Sequence, residues 1–201
     1  MKLLARLLRC NRAASSAEFA LVLPLLIVLL FGIIDTGRFM WEYNRAEKAT
    51  QMGVRFAVVA NMVPSDLAAH SFSISDGVPQ GSPVPTANFD YATCSNVNCG
   101  TCVGSVCDSI GYDGVAFNRI VDRMHLLYPP ITASNVTVTY KNVGLGFAGD
   151  PDGPDVSTLV TVGLTGLDFH PITCLVFACS ISMPNFRAAL TLEDASGQES
   201  N

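Results

Sequence analysis

The sequence predicts an α+β chain: a long N-terminal transmembrane helix continuing past the bilayer, then a small antiparallel sheet with one covering helix, braced by disulfides. Three observations predict it. Phe19 to Ile34 (FALVLPLLIVLLFGII) carries no charge, three later segments read as strands, and six of the seven cysteines fall beyond residue 90.

The helix comes first. At 1.5 Å per residue the uncharged run covers roughly 24 Å, slightly short of a ~30 Å hydrocarbon core. Ala13, Ala14 and Ala17 before it and Phe39, Met40 and Trp41 after it extend it, with Trp41 and Tyr43 suited to the headgroup level. Lys2, Arg6, Arg9 and Arg12 precede it without an acid, which places the N-terminus in the cytoplasm and everything after Asp35 outside. A cleaved secretory signal would need small residues just after the run; IIDTGRFMWEY supplies bulky and charged ones. The segment is retained.

Beyond Asp35 the helical period continues to about Ala60 without proline. Phe39, Tyr43, Ala46, Thr50, Gly53, Ala57 and Ala60 recur at alternating intervals of four and three, while most charges fall off this stripe. Such small residues let a backbone approach closely. The stripe packs either on a partner helix or on the chain's own C-terminal domain. Pro24, inside the run, cannot donate to the Ala20 carbonyl and is a candidate kink.

Met62 to Asn88 is rich in proline, serine and glycine, so residues 62–112 read as a loop-rich linker with a cysteine cluster and no compact element up to Asn88. Residues 113–192 form the head. Asp113 to Tyr128 has apolar residues near helical spacing and Pro129-Pro130 as the stop, which predicts an amphipathic helix. Asn135 to Asn142 alternates with period two; Val156 to Leu164 and Phe186 to Leu192 are further strands. Residues 193–201 form a polar tail.

Charge is divided unevenly. Up to Asn61 eight basic residues face four acids; beyond it four face thirteen. Nothing in the acidic part can neutralise phosphates, which argues against a nucleic-acid partner.

Cys94, Cys99, Cys102, Cys107, Cys174 and Cys179 are an even set in an exported segment, the signature of disulfides. Six thiols allow fifteen pairings; a local Cys174 to Cys179 bridge and a cluster closing on itself is the expected pattern. Cys10, on the cytoplasmic side, should stay reduced. Cys99-Gly100-Thr101-Cys102 has thioredoxin-like spacing, and four cysteines at intervals of five, three and five can circle a metal. The alternative reading is therefore a membrane-anchored thiol-redox or metal-binding module using Cys94 to Cys107. The acids of Asp150 to Asp155 lack EF-hand spacing and suit a turn. His70, His125 and His170 are far apart, and no nucleophile elbow, phosphate loop or metalloprotease motif is present, so neither an enzyme nor a cofactor is expected.

Ala17-Glu18-Phe19-Ala20-Leu21-Val22-Leu23-Pro24, then Phe31-Gly32-Ile33-Ile34-Asp35-Thr36-Gly37-Arg38, then Ala49, Gly53, Arg55 and Ala57 resemble the N-terminal signature of TadE-like pilus assembly proteins, the minor pseudopilins of tight-adherence (Flp-type) pili. A weaker likeness to the same family runs through Val156 to Val162, Phe169-His170-Pro171 and Phe186 to Glu193. The resemblance implies a pilin-like protein of the bacterial inner membrane, single-pass, with a periplasmic C-terminal domain. Its implied partners are membrane lipid, other pilins or pseudopilins, the pilus assembly platform and a prepilin peptidase. The family's glutamate and aromatic residue of the mature N-terminus fall on Glu18 and Phe19, so the cut falls between Ala13 and Ala14; Ala13 stands where the family usually has glycine. Independently, a carboxylate at the head of an apolar run is costly unless paired. Glu18 either pairs with a neighbouring subunit's free α-amino group or sits near the positive helix N-terminus, stabilised by the dipole.

Overall fold

The structure, a computed structural model, describes residues 11–174, 179–193 and 197. Cys10, residues 1–10 of the leader and all of the tail from residue 194 except Gly197 lie outside the described residues. Two compact units emerge: Met1–Trp41 with Asp168–Ile181, and Glu42–Leu167 with Ser182–Asn201.

One helix, α1 (Asn11–Ala57), contributes to both and keeps Pro24 in its interior. In the first unit it is joined by the hairpin that begins with β5 (Asp168–Phe169) and returns through β6 (Ile181–Ser182).

The second unit is built on a five-stranded antiparallel sheet ordered β2-β1-β3-β4-β7. Its strands are β1 (Tyr91–Cys94), β2 (Thr101–Val103), β3 (Val136–Lys141), β4 (Leu159–Leu164) and β7 (Phe186–Thr191). Alternation decides the faces: Val136, Val138 and Tyr140 of β3 and Val160, Val162 and Leu164 of β4 are buried, and Val138 pairs with Val162 in register. On the other face Thr93 and Thr139, directly opposite, join their hydroxyls at 2.9 Å.

Helix α3 (Gly114–Leu127) forms where the periodicity places it. The Asp113 side chain caps it by accepting the N–H groups of Val115 (2.8 Å) and Ala116 (3.0 Å). Phe117, Ile120 and Met124 are fully buried on its inner face. The small-residue stripe of α1 meets that face. Ala46, Thr50, Gly53, Ala57 and Ala60 are buried, and a Cβ on Gly53 would stand 2.7 Å from Met124 Sδ and 3.4 Å from Val162 Cγ1. The stripe therefore packs on the chain's own head. Polar contacts secure the seam: Arg45 Nε donates to the Leu127 carbonyl at 2.8 Å, and the Tyr128 hydroxyl donates to Glu42 at 3.2 Å. Burial, and then the charge of Glu42, push the Tyr128 phenol up to about 12, so it keeps this proton at neutral pH.

The structure corrects the reading of residues 62–88 as lacking any compact element. A short helix, α2 (Phe72–Ser75), stands there, and Met62, Val63, Leu67, Phe72, Val78 and Val84 are all buried. Glycine and proline do write turns; between them single apolar residues reach the core without periodicity. Polar groups fix these turns in place of a ladder. Asn142, buried, donates through Nδ2 to the carbonyls of Val84 and Phe89, each at 2.9 Å, and accepts the Gly144 N–H at 2.8 Å. Asp155, also buried, accepts the Phe72 N–H at 2.7 Å and the Asp150 N–H at 3.2 Å. Asp150 likewise accepts the Asp152 N–H at 3.0 Å, so both carboxylates shape the loop.

His70 Nε2 lies 2.6 Å from Asp76 Oδ2, and the Ser105 hydroxyl donates to Asp76 Oδ1 at 3.1 Å. The His70 bond holds the Asp76 carboxyl below the usual carboxylate range, against the opposing pull of burial. A depressed folded pKa adds stability above the unfolded pKa of about 3.9 and loses it as the pH falls through the folded pKa. The melting-temperature gap between the wild type and Asp76→Asn should therefore be open near pH 5 and close on the acid side of pH 4. Thermal denaturation over a pH series checks this; a gap that widens on acidification contradicts it.

Candidate functional site

From Ser16 onward α1 carries a stretch whose apolar side chains are open to the surroundings. None of its most apolar window is buried, and Leu21, Leu25 and Ile33 are 80%, 71% and 64% exposed. Each such aliphatic side chain forgoes on the order of 1.5–3 kcal/mol that burial would provide. The segment is long and apolar enough to cross a membrane. Glu18 and Phe19 stand exposed at its start, Pro24 lies inside it, and the Ala13–Ala14 junction lies within the same helix.

Asp35 closes the run, and the sequence reading used it only as a boundary. Its side chain is buried and binds the hairpin. The Ile172 N–H donates to Oδ1 at 2.7 Å; the Thr173 N–H and hydroxyl each donate to Oδ2 at 2.9 Å; Arg38 stands 3.5 Å from Oδ1. One turn on, Phe39 meets Phe169 edge to face, with ring centres 5.4 Å apart. An acid ending an apolar run was the available signal, but its partners lie 137 and 138 residues away.

The cysteines form three local bridges, Cys94–Cys99, Cys102–Cys107 and Cys174–Cys179, each spanning five residues. Cys99 and Cys102 are therefore bonded to different partners and not to one another. A thioredoxin-like couple needs those two sulfurs to exchange with each other, and a zinc site needs free thiolates. The thiol-redox or metal-binding alternative finds no support here. Among the described residues no cluster of three or more His, Cys, Asp or Glu has metal-holding geometry.

The exposed apolar stretch, its leading acid and the stripe beyond it form one continuous segment, and that segment decides the comparison. Residues 13–55 match the model of the family TadE-like protein. This is the family that the signature residues resemble, and it is associated with Tad pili. The TadE-like segment holds Ala13, Ala14, Glu18, Phe19, Pro24 and Asp35. Hairpin, sheet, α3 and all six bridged cysteines lie outside it. No curated protein and no solved structure matches the chain.

Proposed function

We propose that this chain is a non-enzymatic pilus biogenesis protein, a minor pseudopilin that assembles through α1 in a tight-adherence system. It is anchored once in the bacterial inner membrane with its N-terminus in the cytoplasm and its head in the periplasm. The observation that carries the reading is the exposed apolar helix headed by Glu18 and Phe19 inside the TadE-like segment. A helix of this kind serves two ends: before assembly lipid covers it, and in an assembly neighbouring pilins replace the lipid. Prepilin peptidase cutting between Ala13 and Ala14 would free an α-amino group four residues before Glu18.

Deleting the gene should abolish surface pili, and plasmid-borne wild type should restore them. Mass spectrometry of the membrane-extracted protein should find a chain beginning at Ala14. Unchanged piliation in the deletion strain would remove the proposed role.

A further inference from the structure

We infer that the hairpin strands β5 and β6, with the residues 170–174 that lead on from β5, form a second membrane-contacting element, seated in the headgroup layer of the bilayer that α1 crosses. This rests on the spanning reading of α1 proposed above. The first support is the attachment point. Asp35 directly follows Ile34, the last residue of the uncharged run, and grips the hairpin at Ile172 and Thr173; Phe39 grips it again at Phe169. Four helical residues rise ~6 Å, within the 5–8 Å of headgroup layer on each side of the hydrocarbon. With the residues from Ala14 to Glu18 completing the ~30 Å hydrocarbon span ahead of the uncharged run, both grips fall inside that layer.

Composition is the second support. No Asp, Glu, Lys or Arg occurs between Phe169 and Phe186. On the described surface Ile181 is 48% exposed, and Met40 and Trp41, on the helix of the same unit, are 55% and 60% exposed. Asp168 at the base of the hairpin is exposed, but beyond it large apolar side chains beside a tryptophan, with no further charge before Arg187, suit the boundary between acyl chains and headgroups. Order is the third support. The Cys174–Cys179 bridge, the paired β5 and β6 and the buried Asp35 carboxylate fix the described part of the hairpin beforehand, so its contact costs little conformational entropy. The occupant is lipid because the hairpin is held at Asp35, where the exposed apolar run of α1 ends. A lone helix can tilt and rotate in a bilayer, whereas a second contact beside it fixes its depth and rotation.

Trp41 is the only tryptophan, so single-tryptophan reporters follow from a Trp41→Phe background. Full-length chains carrying Leu26→Trp, Ile181→Trp or Ser180→Trp are reconstituted in phosphatidylcholine vesicles with and without lipid brominated near the headgroup end of its acyl chains. Ile181→Trp, Ser180→Trp and Leu26→Trp should each lose much of their emission in the brominated vesicles. Quenching of Leu26→Trp with neither hairpin reporter quenched overturns the inference and leaves the spanning helix standing. Absence of quenching at Leu26→Trp as well overturns both.

Discussion

A strain carrying Glu18→Ala should insert the chain in the membrane at the wild-type level and make no pili. Insertion depends on the apolar run, which the substitution lengthens, so membrane fractionation should show no loss. Assembly depends on what the carboxylate meets. If Glu18 answers a neighbour's α-amino group in a lipid-free contact, removing it leaves a buried cation unmatched, at a cost of about 3–5 kcal/mol. At 1.4 kcal/mol per tenfold, that is roughly a hundred- to four-thousand-fold loss in subunit association. Glu18→Gln isolates the charge. It removes the charge but keeps the side chain's length and hydrogen-bonding capacity, so a pairing role predicts loss of pili in both variants, while a dipole role, worth only about 0.3–1 kcal/mol, predicts near-normal piliation in both. Wild-type piliation in both would exclude a part for Glu18 in assembly.

The largest stability effect is expected at Asn142. One side chain supplies two donors and one acceptor to three backbone groups, two of them in the turn-rich segment ahead of β1. Asn142→Ala leaves the Val84 and Phe89 carbonyls and the Gly144 N–H without it. Unsatisfied buried groups cost about 1–3 kcal/mol each, and partial access by water trims the sum, so the head should lose about 3 kcal/mol. For a domain of this size the melting temperature should fall by roughly 10 °C. Scanning calorimetry or near-ultraviolet circular dichroism on the detergent-solubilised chain reads the shift. Asn142→Asp should be no better, because it keeps the acceptor but puts a charge where two donors stood. A loss below about 1 kcal/mol would show that the ladder alone holds the turns.

The elements that were legible in the sequence are those whose signal is periodic and local. The apolar run, the stripe, the Asp113-capped helix and strands β3, β4 and β7 repeat their pattern over enough residues to be read, with strand ends displaced by three residues at most. β1 and β2 are four and three residues long, too short to establish alternation, and the strand that ties their hairpin into the sheet, β3, lies 46 residues on where Thr93 meets Thr139. The segment before β1 failed for another reason. Its buried residues are separated by turns of irregular length, so burial there is decided by Asn142 and Asp155, far along the chain. At the candidate site, the apolar helix and its leading acid could be read directly, whereas the role of Asp35 could not, since nothing near it in sequence predicts Ile172 and Thr173.

That separation has a temporal meaning. Ribosomes and export machinery deliver a chain from its N-terminus, so α1 is in place while the residues that will meet Asp35 have not yet been made. Until then the carboxylate must rely on water or lipid headgroups for hydrogen bonds. Only a chain delivered as far as Thr173 can satisfy it. The contact thus distinguishes chains that have reached the hairpin from those stalled before it, at the residue that closes the apolar run.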